Sequence, residues 1–408
     1  MYRFDDCQVD PRQFELRRGG ELVHVEPQVF ALLGYLIEHR DRVVAKTELL
    51  DVVWGGRFVS ESALTSRVKM LRRAVGDDGN LQRVIATMYG IGYRFVAEVT
   101  ELDDEPVPVP GVVRPQQQIR YCVSPDGVRV AYASSGSGPP LVKAANWLTH
   151  LDLEWSSPIW AHWLDGLARH HRLVRYDERG CGLSDWEVAD FSLDAWVNDL
   201  ELVVDAAGLD RFPLLGVSQG GAVAIAYAVR HPERVSHLVL AGAYCRGRLA
   251  RASTAEELEE ATLDLQLGRI GWRHDDPTFR QVFASQFLPD GTRRLWDAFN
   301  DLQRATTSTE NVVRFLDVFA QIDVSEQAPH VQCPTLILHS RGDLRVPRAQ
   351  AQDLAALIPN SELRFLHSRN HILTAHEPAW PVFLAEINRF LHDTSPRGAT
   401  AVPTRISG

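Results

Sequence analysis

The sequence predicts a multidomain chain, in which a small α+β domain precedes an α/β domain with a mostly parallel sheet, helices on both faces and a helical lid. Three observations support this. The chain has 408 residues, too many for one ordinary hydrophobic core. Residues 1–100 alternate short strand-like runs with helices, and 101–118 are rich in acid, proline and glutamine. From residue 119 to about 392, apolar strands alternate with helical stretches.

Composition narrows the class of protein. The chain is 45% apolar and 24% charged, and no stretch approaches the ~18 consecutive apolar residues of a membrane helix. Its start has no apolar secretory core, so we expect a cytoplasmic protein without membrane association. The five cysteines are scattered and never spaced as C-x-x-C, which predicts neither disulfides nor a zinc site. We expect no metal and no organic cofactor.

Charge is distributed unevenly. The net charge is −10, yet residues 1–100 hold 14 basic and 14 acidic side chains, so the remainder carries the whole excess. A neutral module joined to an acidic one suggests two kinds of partner. Residues 101–118 are expected to form a stiff linker, residues about 244–328 interrupt the strand pattern with helical sequence, and the tail 393–408 is expected to be disordered.

The first domain begins with two polar-alternating strands around Gly19-Gly20, a hairpin pattern. "PQVFALLGYLIEHR" predicts a helix with Pro27 in its first turn, and "KTELLDVVWG" a short helix that stops at Gly55. "SESALTSRVKMLRRAVG" predicts a third helix with a narrow apolar stripe, which consists of Leu64, Val68, Leu71 and Val75. Its opposite side collects hydroxyls and cations suited to a major groove, namely Ser62, Ser66, Lys69 and Arg73, flanked by Thr65 and Arg72.

A glycine hairpin follows in "RVIATMYGIGYRFVAEV". With "RVVAKTELLDVVWG" and "LTSRVKMLRRAVG" before it, residues 3–98 resemble the winged-helix DNA-binding domain of the OmpR/PhoB response-regulator class. The resemblance implies that Ser60 to Val75 form the recognition helix and that the hairpin from Tyr89 to Arg94 is a wing that contacts DNA. Tyr89 stands where the family often has a basic residue. The sequence shows no receiver-domain pattern, so we expect a switch other than phosphorylation of such a domain. The same resemblance leaves a homodimer open.

The second domain contains Gly-x-Ser-x-Gly in "FPLLGVSQGGAVAIAYA". An apolar strand before Ser218 and a helix of small residues after it are typical of a nucleophile presented on a sharp turn. A base and its orienting carboxylate follow later in such chains. Asp343 lies just past the strand "CPTLILHS", and His371 follows the strand "LRFLHS". His339, His367 and His376 are competing candidates for the base.

These pieces, with "RLVRYDERGCGLSD" and "HPERVSHLVLAGA", resemble the α/β-hydrolase fold over residues 119–392. The resemblance implies a Ser218–His371–Asp343 triad and a helical lid. Six lid aromatics are candidates to line the acyl pocket, of which one or two are expected to touch ligand: Trp272, Trp296, Phe283, Phe287, Phe299 and Phe315.

The oxyanion hole is the unusual part. One donor is expected to be the backbone N–H of Gln219, the residue after the nucleophile. The second donor comes from a loop that usually reads His-Gly-x. Here Ala145-Asn146 replaces His-Gly, which puts Trp147 in the donor position. A backbone N–H exists whatever the side chain, but its aim depends on backbone angles that glycine adopts most easily.

The two resemblances favour a one-component DNA-binding transcriptional regulator, whose C-terminal serine-hydrolase-like domain binds and hydrolyses a small acyl compound, an ester, thioester or lactone. Its partners would be double-stranded DNA and that ligand. Three alternatives stay open: an esterase or lactonase with an accessory DNA-binding domain, a regulator that destroys its own signal, and a dimeric scaffold with an inactive site. The filled triad positions disfavour the scaffold, and the winged helix disfavours a plain metabolic enzyme.

Overall fold

The structure is a computed structural model that describes residues 2–10, 15–54, 61–101, 117–273 and 278–392. The chain divides into two compact units, Met1–Val112 and Val113–Gly408. The division falls inside the segment predicted to be a linker, most of which lies outside the described residues, as do Gly55, Ser60 and the tail 393–408. Strand residues extend into both ends of that predicted segment, at Glu101 and at Gln118.

The first unit contains two small antiparallel sheets. One has the order β4-β3-β2-β1-β8 and comprises β1 (Tyr2–Phe4), β2 (Cys7–Asp10), β3 (Glu15–Arg18), β4 (Glu21–Val23) and β8 (Thr100–Glu101). The other has the order β5-β7-β6 and comprises β5 (Val44–Ala45), β6 (Ile85–Met88) and β7 (Gly92–Phe95). The hairpin predicted around Gly19-Gly20 is confirmed: both glycines have positive φ, which is what a two-residue turn of this kind requires.

Three helices lie between these strands: α1 (Pro27–Glu38), α2 (Lys46–Trp54) and α3 (Glu61–Ala74). The apolar stripe predicted for α3 is confirmed, because Leu64, Val68, Leu71 and Val75 are all buried in the core of this unit. Asp77, just after α3, is also buried. Its carboxylate accepts hydrogen bonds from the backbone N–H groups of Val84 and Ile85, which ties the end of α3 to the start of β6.

The second unit is built on an eight-stranded sheet of order β16-β15-β14-β13-β11-β12-β10-β9. Two antiparallel strands form one edge, β9 (Gln118–Val123) and β10 (Arg129–Ser135). The other six strands are parallel: β11 (Pro140–Lys143), β12 (Arg172–Tyr176), β13 (Phe212–Val217), β14 (Val235–Ala241), β15 (Thr335–Ser340) and β16 (Ser361–Leu366). The predicted mostly parallel sheet is therefore confirmed.

Strand order determines where a site can form. The chain steps from β11 to β12 on one side and then returns to place β13 on the other side of β11. At such a reversal, the loops after the two adjacent strands diverge and leave a crevice at the carboxyl edge of the sheet. Ser218 follows β13 and the Ala145-Asn146 loop follows β11, so both reach this crevice.

Helices connect the strands. Five of them are α4 (Ala161–Ala168), α5 (Leu193–Ala206), α6 (Gly220–Arg230), α12 (Arg348–Leu357) and α13 (Ala379–His392). Between β14 and β15 lie five more, α7 (Arg248–Arg251), α8 (Ala255–Arg273), α9 (Thr278–Phe287), α10 (Arg293–Thr306) and α11 (Thr309–Gln321). Thr292 and Ser308 cap α10 and α11 by accepting backbone N–H bonds, which is why those helices begin where they do. We call α7–α11 the lid helices.

In the described part of the chain, no helix combines the length and the apolar character needed to cross a membrane. All five cysteines are free thiols, and only Cys122 is not fully buried.

Candidate functional site

Ser218 occupies a sharp turn between β13 and α6. Its φ is +53°, a left-handed conformation that is unusual for a serine. The backbone N–H of Ser218 donates to Ala241 O at 2.8 Å, and this bond holds the turn against the neighbouring strand. The turn leaves no room for larger neighbours: a Cβ at Gly216 would lie 2.7 Å from Gly221 Cα. The strained turn is therefore maintained by close backbone packing, and it presents the Ser218 hydroxyl at the start of α6.

Ser218, His371 and Asp343 meet as a hydrogen-bonded chain. His371 Nε2 lies 2.8 Å from Ser218 Oγ, and His371 Nδ1 lies 2.7 Å from Asp343 Oδ2. Both bonds are satisfied when the serine hydroxyl donates to Nε2 and the Nδ1–H donates to the carboxylate. All three residues are buried. The sequence placed them at three separate loops, and the sheet brings those loops together.

Asp343 is fixed from several directions. Its Oδ1 accepts the backbone N–H groups of Arg345 and Val346 at 2.8 and 2.9 Å. Burial acts to raise the pKa of this carboxyl, but the opposing interactions with His371 and the N–H bond from Val346 hold it below its ordinary value. Asp343 is therefore ionised at neutral pH and able to orient His371.

The loop that carries His371 is attached to a lid helix. The His371 N–H donates to Phe287 O, the last residue of α9, at 2.8 Å. The side-chain oxygen of Asn370 accepts the N–H of Asp290 at 3.1 Å. The lid thus takes part in positioning the histidine as well as covering it.

The structure separates the competing histidines from this arrangement. His339 is buried behind Asp343, with its Nε2 3.8 Å from Asp343 Oδ2 and 3.0 Å from Val346 O. Burial lowers the pKa of His339, so it is neutral there. His367 and His376 are exposed. Among the described histidines, only His371 contacts Ser218.

The predicted oxyanion donors flank the turn. A Cβ added at Gly220 would meet Ala145 O at 2.5 Å and Asn146 Cβ at 3.3 Å, so the loop after β11 packs directly on the start of α6. Within the described residues, the backbone N–H groups of Gln219 and Trp147 donate to no acceptor. Both N–H groups are therefore free of other acceptors in that part of the chain, as the predicted oxyanion donors must be.

Buried polar side chains support these two loops from beneath. Lys143 Nζ donates to Asn146 Oδ1, and Gln219 Nε2 donates to Glu178 Oε1 at 3.1 Å. Burial lowers the pKa of Lys143 to about 8 and raises the pKa of Glu178 to about 8. This network was not predicted from the sequence, although Lys143 ends β11 and Glu178 follows the last residue of β12 by two positions.

A narrow cleft, partly open to solvent, adjoins Ser218. Its apolar wall includes Trp147, Tyr244, Leu265, Phe287, Leu316 and Phe319. Its polar wall includes Ser218, Gln219, Arg248, Arg251, Asp264 and Arg345. Of the six lid aromatics proposed from the sequence, Phe287 lines this cleft, whereas Trp272 and Phe283 pack behind Trp147 with ring centroids 5.9 and 5.6 Å away.

The predicted DNA-binding face of α3 is open to solvent. Its exposed residues are Ser62, Thr65, Ser66, Lys69 and Arg73. Thr65 Oγ1 donates back to Glu61 O at 2.9 Å. Lys69 and Arg73 have no carboxylate partner within the part of the chain that is described, in contrast with Arg67, which pairs with Glu26 at 3.1 Å.

Arg72 differs from the expectation. Its Nη2 donates to Ile85 O at 2.7 Å and to Thr87 Oγ1 at 2.8 Å, so the guanidinium is partly buried against β6. These two hydrogen bonds direct the side chain toward the hairpin. Arg72 therefore connects the helix to the wing instead of pointing outward with Lys69 and Arg73.

The predicted wing is a hairpin between β6 and β7. Tyr89 is 86% exposed at its tip, with Ile91 60% exposed beside it. Arg94 is exposed on β7, and its Nε donates to Arg40 O at 3.4 Å. A Cβ at Gly92 would lie 1.9 Å from Val44 O, so this glycine permits the close pairing of β5 and β7 that positions the wing.

Both predicted domains match known protein families. Residues 20–95 match the family of transcriptional regulatory protein C-terminal domains, and residues 148–311 match the alpha/beta hydrolase fold family. A pyrrolizixenacetamide deacetylase from Xenorhabdus hominickii is 28% identical over 257 residues, which is 61% of this chain and 90% of that protein.

Solved structures show the same fold. The esterase EaEST from Exiguobacterium antarcticum has a TM-score of 0.56 at 21% identity, covering 67% of this chain and 99% of that one. The esterase RhEst1 from Rhodococcus sp. ECU1013 has a TM-score of 0.55 at 24% identity, covering 68% and 99%. The chain thus joins an OmpR/PhoB-type DNA-binding domain of transcriptional regulatory proteins to an alpha/beta hydrolase domain.

Proposed function

We propose that this protein is a one-component transcriptional regulator that binds double-stranded DNA through α3 and its wing, and that its hydrolase domain binds and cleaves a small acyl compound. The observation that carries the proposal is the presence, in one chain, of a DNA-binding domain and a hydrogen-bonded Ser218–His371–Asp343 chain beside a cleft. In such a regulator, a ligand that binds in the cleft would control the affinity for DNA.

Catalysis would follow from the geometry of the triad. His371 Nε2, 2.8 Å from Ser218 Oγ, takes the hydroxyl proton as the serine attacks the substrate carbonyl. Asp343 keeps the Nδ1–H tautomer in place and stabilises the imidazolium that forms. The N–H groups of Gln219 and Trp147 receive the negative charge that develops on the carbonyl oxygen. His371 then protonates the leaving group, and water hydrolyses the acyl-serine.

The bond cleaved is an ester, thioester, lactone or amide. The similar proteins are named as esterases and as a deacetylase, which supports acyl transfer to water as the reaction class. The second candidate is an esterase with an accessory DNA-binding domain. The assembled triad favours it, since a pure sensor needs no hydrogen-bonded nucleophile. The two candidates differ in whether ligand and DNA affect each other.

The first test is a fluorophosphonate probe, which reacts with activated serines. The wild-type protein should be labelled and the Ser218→Ala variant should not. Because the probe requires a competent nucleophile and oxyanion hole, absence of labelling in the wild type would contradict the catalytic half of the proposal.

The second test addresses regulation. DNA sites selected from a random-sequence library would be titrated by fluorescence anisotropy, with and without saturating acyl ligand, on Ser218→Ala protein that cannot consume it. A regulator requires a change in DNA affinity, typically 5- to 150-fold, and DNA must change ligand affinity by the same factor. If ligand does not change DNA affinity and DNA does not change ligand affinity, the result favours the esterase with an accessory DNA-binding domain.

A further inference from the structure

Three arginines line the cleft beside Ser218. Arg248 and Arg251 belong to α7, and Arg345 follows β15 two residues after Asp343. Asp264, on α8, is the one carboxylate among the residues that line this cleft. We call Arg248, Arg251 and Arg345 the arginine cluster. The triad does not use the side chain of any of them.

Two of these cations share the single carboxylate. Arg248 Nη1 lies 3.2 Å from Asp264 Oδ1, and Arg345 Nη1 lies 2.9 Å from Asp264 Oδ2. The Arg345 guanidinium also lies over the rings of Phe283 and Phe287, each at 5.0 Å from the ring centroid. These contacts fix the positions of Arg248 and Arg345 at the cleft wall.

Arg251 is different. Its one hydrogen bond within the described residues is a long one, from Nη1 to Arg246 O at 3.4 Å. Its Nε and Nη2 donate to no acceptor in that part of the chain, so at least three N–H groups remain available. The side chain is only partly accessible, and it forms part of the cleft wall.

The cleft therefore holds three positive groups against one negative group. Burial lowers the pKa of Arg248 to about 10, with Arg345 and Arg251 adding to the effect by repulsion. Burial also lowers the pKa of Arg251. Charges placed in a low-dielectric cleft are costly unless an opposite charge joins them, and a bound anion would supply that charge.

We propose that the arginine cluster is a subsite for an anionic oxygen group, a carboxylate or a phosphate, carried at the end of the acyl compound whose carbonyl lies at Ser218. Guanidinium groups match the geometry of both oxyanions. Leu265, Leu316 and Phe319 line the same cleft, so they fit an apolar segment between the two polar ends of the ligand. This subsite would define the substrate class of the proposed hydrolase. It rests on the proposed function only in placing the reacting carbonyl at Ser218.

The test uses matched pairs of 4-nitrophenyl esters of equal acyl length, one ending in a carboxylate and the other in a methyl group, from succinate and butyrate up to adipate and hexanoate. At fixed ionic strength, the wild-type protein should show a kcat/KM at least tenfold higher for the carboxylate member of one pair. Arg251→Met should lower that value by roughly 10- to 100-fold and leave the neutral ester nearly unchanged.

Two control variants separate charge from structure. Arg251→Lys keeps the positive charge without the guanidinium geometry, and should retain part of the preference. Arg269→Met removes a lid cation that pairs with Asp317 away from the cleft, and should leave the preference intact. Equal losses in the Arg251→Met and Arg269→Met variants would overturn the subsite, because general charge would then explain the effect.

A binding arm makes the result independent of catalysis. In Ser218→Ala protein, quenching of tryptophan fluorescence would report affinity for each ester, and glutarate or inorganic phosphate would be added as competitors. Tighter binding of a carboxylate ester that is lost with Arg251→Met supports the subsite. If the wild type hydrolyses no ester, that result contradicts the proposed hydrolase function and leaves the subsite standing. The stronger competitor assigns carboxylate or phosphate. No preference for the charged ester in any pair, in binding or hydrolysis, overturns the inference.

Discussion

The triad and the exposed face of α3 differ in how firmly the fold holds them. Ser218, Asp343 and His371 are 9, 8 and 6% exposed, and backbone groups of β14, the loop after β15 and α9 hold them in place. Lys69 and Arg73 are exposed and have no ion-pair partner within the described residues. The first arrangement is preorganised for one geometry, whereas the second leaves long side chains to adapt to phosphates. Substitutions should therefore have steep effects in one region and graded effects in the other.

The steepest effect is expected from Ser218→Ala. Removing a triad nucleophile costs about 10⁶-fold in kcat in a well-studied serine protease, and a similar loss of ester hydrolysis is expected here. Steady-state kinetics on a 4-nitrophenyl ester would measure it. The affinity for DNA should not change, because the serine lies in the other compact unit.

Ser236→Ala is a suitable control, since Ser236 is a partly buried serine on β14 that does not line the cleft. It should keep full activity. A Ser218→Ala protein that loses hydrolysis and DNA binding together would mean that the turn is needed for the structure of the whole chain, and the contrast between the two regions would fail.

Asp343→Asn comes next, with an expected loss of about 10⁴-fold in kcat and little change in KM. The amide can accept the N–H bonds that Val346 and Arg345 donate, so the loop is retained, but it cannot stabilise an imidazolium. His339, 3.8 Å from Asp343, provides the comparison. His339→Gln should affect activity far less, because His339 does not touch Ser218.

The meeting of Ser218, His371 and Asp343 could be predicted from the sequence because a local pattern places each of them. Ser218 lies between a strand and a helix, Asp343 follows β15 directly and His371 follows β16. The ends of parallel strands converge on one edge, so three local predictions became one site. The fold class and the stripe of α3 followed from periodicity in the same way.

The arginine cluster and the buried network could not be predicted from local patterns. Arg248 and Arg345 meet through Asp264. The three residues are up to 97 positions apart, and three lid helices, α9 to α11, lie between Asp264 and Arg345 in the sequence. The contact between Arg72 and β6 was not predicted for a similar reason, since the direction of a side chain at the edge of a helix face depends on the hairpin that packs beside it. The run of arginines in "RGRLAR" was the one available signal for the cluster.

For the exposed face of α3, Lys69→Ala and Arg73→Ala should each reduce the steepness with which log DNA affinity falls against log salt concentration, by about 1 in slope. The losses should add, because exposed cations contact phosphates independently. Arg67→Ala is the matched control on the same helix, since Arg67 already pairs with Glu26. Slopes that stay at the wild-type value in both test variants would mean that DNA contacts another face, and strongly non-additive losses would mean that this surface is as rigid as the triad.

The mildest test of the contrast is the pH dependence of stability in Glu178→Gln. Burial raises the pKa of Glu178 to about 8, from 4.5 for an unperturbed glutamate. Between these values the folded protein holds a proton that the unfolded chain has lost. The contribution of Glu178 to stability should therefore fall as pH rises through this window, by up to about 1.4 kcal/mol per pH unit, and the variant should lose that part of the slope. Glu187→Gln, at an exposed position, should keep the wild-type slope.

Urea titrations followed by tryptophan fluorescence would measure this between pH 5 and 8. Nine of the ten tryptophans lie beyond residue 112, so the signal reports mainly the second unit. The window must stop near pH 8, because burial also lowers the pKa of Lys143 to about 8 and its titration acts in the opposite direction at higher pH. Glutamine at 178 can still accept the hydrogen bond from Gln219, so the variant mimics the neutral acid. A slope equal to wild type would mean that Glu178 is hydrated and ionised, and the support beneath the oxyanion loop would then be as adaptable as the surface of α3.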